Sequence, residues 1–124
     1  MRPDIIIYTD GSSRGNPGPG GYGIIIEKYN SSYSKEFSEG FRLTTNNRME
    51  LLAVIEALEK LKQDRQKVSI YTDSKYVVDA VEKGWLINWE KKNFKSKKNI
   101  DLWRRFLKIY RKHKVKFHWI KGHN

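Results

Sequence analysis

Cysteine is absent from the 124-residue chain, so disulfide frameworks, thiolate metal sites and cysteine nucleophiles are excluded, and a reducing compartment fits. Long apolar runs are absent as well. The apolar cluster within Met1–Tyr8 is far shorter than the core of a secretory leader, and no later stretch approaches the roughly 20 apolar residues of a membrane span. The expected address is the cytoplasm, with no membrane partner. Internal repeats, low-complexity tracts and domain linkers are lacking too, and this length suits one small domain with one active surface.

What is present is the composition of a globular core, 38% hydrophobic and 13% aromatic, alongside 31% charged residues. The formal net charge of +11 implies attraction for polyanions, of which nucleic acid is the most abundant inside a cell. The plainer alternative is a small basic protein kept soluble by its charge. The excess is local, as a footprint would be: the first half is nearly balanced, whereas Lys91, Lys92, Lys95, Lys97 and Lys98 cluster around Phe94. Arg104, Arg105, Lys108, Arg111, Lys112, Lys114 and Lys116 follow.

Ile5, Ile6 and Ile7 with Tyr8 and Thr9 predict a strand that delivers Asp10 at its C-terminal end, followed by the loop GSSRGNPGPGG. Residues 22–29 and about 33–43 read as two more strands, parted by the turn-prone Asn30, Ser31 and Ser32, which suggests an antiparallel meander. From Thr45 the period changes, with Met49, Leu52, Ala53, Ile55 and Leu58 marking an amphipathic helix that breaks off near Gln63. Val68–Thr72 is a short strand ending at Asp73, and residues 75–81 are helical up to Gly84. Such alternation argues for a parallel portion of the sheet, hence an α/β fold with a mixed sheet. Residues 85–99 mix tryptophans with lysines. Residues 100–113 read as a helix with Leu102, Phe106, Ile109 and Tyr110 inward, and residues 114–120 alternate as a last strand.

Asp10 and Asp73 both fall where a predicted strand hands over to a loop or helix, the sheet end at which α/β folds gather ligands. Glu50, early in the intervening helix, can project over the same edge. Three carboxylates placed together repel one another unless a divalent cation neutralises them, and an oxygen-only donor set suits Mg²⁺ or Mn²⁺ rather than zinc. Singly, each acid has a plainer reading as a cap or surface charge; Asp73, before Ser74 and Lys75, suits a helix N-cap.

The segments YTDGSSRGNPGPGGYG, TTNNRMELLAVIEALE, IYTDSKYVVDAV and WIKGHN occur in the order and spacing typical of type 1 ribonucleases H, and nearly the whole chain resembles that family. The resemblance implies a mixed five-stranded sheet, three antiparallel strands followed by parallel ones, flanked by helices. It implies hydrolysis of the RNA strand of RNA–DNA hybrids, with two Mg²⁺ ions flanking the scissile phosphate and leaving a 5′-phosphate and a 3′-hydroxyl. Asp10, Glu50 and Asp73 match three of the family's four metal-binding acids, and His123 matches a mobile histidine that assists proton handling or product release. Asn16, Asn46 and Asn47 match residues that reach the minor groove, where RNA displays its 2′-hydroxyls. The stretch Trp85–Lys98 resembles the family's basic handle for the DNA strand, with Trp85 assigned to the DNA channel and Trp89 to the core. Its lysines 91, 92, 95, 97 and 98 are expected to meet phosphates without reading sequence.

Two departures stand out. Leu43 occupies the position where many relatives carry an arginine in a pocket for a DNA phosphate, leaving Thr45 and Asn99 as its remaining members, while Arg42 is expected to face the other side of its strand. The family's loop after KGH, its fourth aspartate and its final helix are expected to lie beyond Asn124, so residues 1–124 read as one domain without them. That impairs the water-activating ion more than hybrid binding, and a monomer is expected unless another chain supplies the segment. The alternative reading is a non-catalytic hybrid- or double-stranded-RNA-binding module; a different nuclease or transposase of the same fold is disfavoured by GNPGPGGYG and NNRMEL.

Overall fold

The computed structural model describes residues 2–122. The elements in chain order are β1 (Ile5–Ser13), β2 (Gly18–Lys28), β3 (Ser34–Thr44), α1 (Asn46–Glu59), β4 (Lys67–Thr72), α2 (Lys75–Glu82), α3 (Trp85–Lys91), α4 (Ile100–Tyr110) and β5 (Lys114–Trp119). The five strands form one mixed sheet in the order β3-β2-β1-β4-β5. β1, β2 and β3 pair antiparallel, while β4 lies parallel to both β1 and β5. No helix among the described residues is long and apolar enough to cross a membrane.

The first strand differs from its prediction. β1 does not end at Asp10 but continues to Ser13, because the glycine-rich segment Gly20–Gly23 pairs with it, Asp10 lying opposite Gly23 and Ser13 opposite Gly20. Much of GSSRGNPGPGG is therefore strand, and only residues 14–17, with a cis Asn16–Pro17 peptide, connect the two. Loop chemistry in the sequence was outweighed by ladder pairing, which glycine permits though it does not favour it.

Alternation along β1 and β2 sends Ile5, Ile7, Ile24 and Ile26 into the core, where α1 contributes Met49, Leu51, Val54, Ile55 and Leu58. α1 starts at a Thr45 cap whose side chain accepts from the Arg48 N–H at 3.2 Å. On α4 the inward set is Leu102, Trp103, Phe106 and Leu107, whereas Ile109 and Tyr110 are only partly buried. The helix ends at Tyr110 rather than His113. Trp103 sits at the centre of an aromatic group, edge-on to Trp89 and Phe106 and tilted against Tyr76; its indole N–H donates to the Tyr76 hydroxyl at 2.9 Å. A polar partner for that N–H is what permits a tryptophan in the interior.

His113, in the turn before β5, links this turn to the one before β4: its Nδ1 accepts from the Gln66 N–H at 3.2 Å, while buried Nε2 finds no partner among the described residues. Burial lowers its pKa, opposed by Asp64 and assisted by Lys112. With the folded-state value below the unfolded one of about 6.5, the unfolded chain binds more protons as pH falls. Stability is expected to be level above that pH and to decline below it. Urea titrations from pH 7.5 to 5 should show the decline, and His113→Gln should flatten it; an identical profile in the variant would assign the loss to other groups.

Candidate active site

Two neighbouring parallel strands carry the first two acids. The register pairs Tyr8 with Tyr71 and Thr9 with Thr72, at which point the parallel ladder stops. Asp10 and Asp73 are the next residue on each strand path, so one sheet end presents both carboxylates at the same level.

Glu50 arrives from the layer above, on α1, and Gly11 decides how near. A Cβ at Gly11 would lie 2.6 Å from the Met49 carbonyl and 2.7 Å from the Glu50 nitrogen. The helix backbone thus rests on the strand at the residue after Asp10, and only glycine leaves room. Ser74 holds Glu50 from the other side: its hydroxyl donates to Glu50 Oε1 at 3.0 Å and accepts from the Val77 N–H at 3.1 Å. The N-cap of α2 is therefore Ser74, not Asp73, which leaves the Asp73 carboxylate free of that duty. Burial raises the Glu50 pKa; the Ser74 hydrogen bond opposes this, and the charges of Asp73 and Asp10 add to it.

The three acids line one open cleft of about 930 Å³ together with Tyr8, Asn46 and Gly122. Among the described residues, no three Asp, Glu, His or Cys side chains converge tightly enough to cage an ion unaided. An open cleft whose candidate ligands are carboxylate oxygens suits a hard divalent cation that keeps part of its water, and does not suit a closed tetrahedral zinc site. The repulsion from Asp73 and Asp10 that adds to the effect of burial on Glu50 is the feature a cation would relieve.

His123 lies outside the described residues. Its neighbour Gly122 passes so close to Asp73 that an added Cβ would be 2.5 Å from Oδ2. Asn16 and Asn46 are joined: Asn16 Oδ1 accepts from the Asn46 N–H at 2.9 Å and from the Ser13 hydroxyl at 3.2 Å, and Asn46 Oδ1 accepts from the Ser13 N–H at 3.3 Å. Their carbonyl oxygens thus tie the β1–β2 connection to the start of α1. Asn47 is exposed beside them.

A second concavity is lined by Asn47, Tyr76, Trp85, Lys97, Lys98 and Asn99, among others. Asn99, in a left-handed conformation, donates to the Tyr76 hydroxyl at 3.1 Å and accepts from Arg48 at 3.2 Å. Arg48 also forks onto Asp101 at 3.1 and 2.8 Å. Leu43 is 73% exposed and Arg42 is exposed too, as befits two residues on an edge strand. Trp85 is exposed with Lys83 over its ring, whereas Trp89 packs on the core. Lys91, Lys92, Lys95, Lys97 and Lys98 are all exposed around a buried Phe94 that pins their loop.

Sequence reasoning missed Ser74, Arg48 and Gly11. A serine before a helix is a recognisable cap signal, but its bond to Glu50 joins residues far apart in sequence and has no local signature.

A mixed sheet in this order, with acids where the parallel ladder of its central strands stops and a helix-borne glutamate above them, defines the ribonuclease H-like class of α/β proteins. The RNase H family model matches residues 2–124, and the chain belongs to the ribonuclease H family of enzymes. It is 52% identical to the ribonuclease H of Desulforamulus reducens over 125 residues, covering 97% of this chain and 77% of that protein. It is 51% identical to that of Helicobacter pylori, covering 98% and 82%. Its structure is similar to that of LC9-RNase H1, a type 1 RNase H with the type 2 active-site motif, with a TM-score of 0.84 and 31% identity over 99% of this chain and 65% of that one. It is also similar to LC11-RNase H1 in complex with RNA/DNA hybrid, with a TM-score of 0.65 and 31% identity over 94% and 85%.

Proposed function

We propose that the chain hydrolyses the RNA strand of RNA–DNA hybrids, with Asp10, Glu50 and Asp73 holding divalent cations, Mg²⁺ or Mn²⁺ in its place. The observation that carries this is the convergence of the three acids on one cleft, beside a basic surface that also presents an exposed tryptophan. Bound there, the ions supply an activated water and charge stabilisation for the departing 3′ oxygen, leaving 5′-phosphate and 3′-hydroxyl ends. The residues of the chain do the positioning. Asp10 and Asp73 fix the ligand level through strand register; Glu50, steadied by Ser74, supplies the third carboxylate and an acceptor for a 2′-hydroxyl. The amide nitrogens of Asn16 and Asn46, with exposed Asn47, face the minor groove; Thr45 and Asn99 meet a DNA phosphate, and His123 assists proton transfer or product release.

Residues 1–124 serve as one domain, and Trp85 with the lysines of the handle orients the DNA strand. Phosphate neutralisation releases counterions, so hybrid affinity should fall steeply with salt. Replacing Lys91, Lys92, Lys95, Lys97 and Lys98 by Ala should reduce the slope of log affinity against log salt by close to one unit for each phosphate that is no longer neutralised. An unchanged slope would make them a solvated face.

The deciding assay offers labelled RNA–DNA hybrid, duplex RNA and duplex DNA to this chain with Mg²⁺ or Mn²⁺. RNA-strand cleavage of the hybrid alone is expected. Binding without cleavage in every arm would support the non-catalytic module.

A further inference from the structure

We propose that Trp119 is a positioning residue for Asp73, acting through its indole N–H on the main chain of that residue; this deepens the proposed function and rests on it. Trp119 is the last residue of β5, on the side of the strand that at Phe117 enters the core. Its own ring is 45% exposed, so apolar burial gives only part of a reason for a tryptophan there. Its polar contact is specific: the indole N–H donates to the Asp73 carbonyl at 3.1 Å. Lys75, two residues past Asp73, places its ammonium 4.5 Å from the ring centroid, a second contact between the indole and the start of α2.

The bond is one of three points at which the end of β5 grips the end of β4. The Ile120 N–H donates to the Thr72 carbonyl at 2.9 Å, one residue before Asp73. Gly122 then passes against the Asp73 carboxylate, where an added Cβ would displace Oδ2. Asp73 sits just beyond its strand and ahead of α2, so neither a ladder nor a helix holds its peptide. Ladder bonds fix Asp10, and helical bonds with Ser74 fix Glu50. Asp73 lacks both, and the indole bond supplies the missing restraint on its carbonyl. A group that orients a ligand residue without touching the ion alters affinity and turnover rather than substrate binding.

Trp119→Phe keeps an aromatic ring beneath Lys75 and removes the donor; Trp119→Leu removes both. Affinity for Mn²⁺ alone is measured by calorimetry, hybrid affinity in Ca²⁺, kcat and KM in Mg²⁺ or Mn²⁺, and the Asp73 and Ser74 amide resonances in metal-free protein. Trp119→Phe should weaken Mn²⁺ binding and lower kcat by about tenfold. It should also shift both amides, with hybrid affinity, KM and the unfolding midpoint unchanged. Replacing Trp119 by an isosteric benzothienylalanine, with sulfur for the N–H, should reproduce the Phe result. Unchanged Mn²⁺ affinity and amide shifts in these variants, with wild-type binding intact, would overturn the inference alone; losses that merely track the unfolding midpoint would do so too. Failure of the wild-type chain to bind Mn²⁺ in a manner sensitive to Asp10→Asn would overturn the proposed function and this inference with it.

Discussion

Asp10→Asn is expected to reduce hybrid cleavage by about a thousandfold, equivalent to about 4 kcal/mol of transition-state stabilisation, while leaving the unfolding midpoint unchanged or higher. The activity loss follows from position. Asp10 adjoins both other acids in the layout of the site, beside Asp73 across the parallel ladder and beneath Glu50 through the Gly11 contact. The amide keeps the shape but loses the charge that draws a cation. The stability side follows from the same crowding: the Asp10 charge is one of the causes that raise the Glu50 pKa, so removing it relieves repulsion in a protein assayed without metal. Parallel kinetic and thermal melts check both halves. A variant that loses activity only as much as it loses folded protein would show Asp10 to be structural. Sites that trade stability for charge are expected where function, not folding, sets the residue.

Gly11→Ala is expected to cost about 3 kcal/mol of stability, lowering the midpoint by roughly 10 °C, and to weaken cation binding as well. The added methyl would meet main-chain atoms of Met49 and Glu50 at 2.6 and 2.7 Å. No side-chain rotation relieves a clash with backbone, so α1 must retreat from β1. That opens the core around Met49, which is 2% exposed, and carries Glu50 away from the cleft. Gly23→Ala is the control, since Gly23 faces Asp10 across the ladder and a Cβ there meets nothing within 4 Å. Its stability should stay close to that of the parent. Equal midpoints for both substitutions would show that α1 tolerates the shift and that Gly11 is not the spacer between helix and strand.

Much of the fold was legible because its periods are plain. The alternation of Ile5 and Ile7, and of Ile24 and Ile26, marks strands with one buried face, and the change to a helical period at Thr45 coincides with a capping residue. Boundaries were less legible. The glycines and prolines after Asp10 read as a loop by local chemistry, yet Gly20–Gly23 pair as strand with β1 on one side and with β3, roughly twenty residues on, on the other, which satisfies their backbone. Trp103 and Leu107 were missed as core residues on α4 for a related reason. That helix packs against α1 on one side and the aromatic group around Trp89 on the other, so its buried stripe is wider than a single-face reading allows.

For the site, the sequence by itself determined the candidate ligands: no cysteine, two aspartates that follow β-rich runs, an early helical glutamate and a lysine-rich handle, in segments whose order and spacing carry the family resemblance. Residue type and spacing suffice for that, because ligand chemistry is a property of side chains. Tertiary structure alone decided how those side chains are held. Gly11 sets the approach of Glu50, Ser74 donates to the Glu50 carboxylate, and Trp119 reaches the Asp73 carbonyl from a strand 46 residues later. Each is a contact between segments distant in sequence. Such contacts arise only when the sheet order β3-β2-β1-β4-β5 brings β1, β4 and β5 side by side, and no local pattern of residues encodes that adjacency.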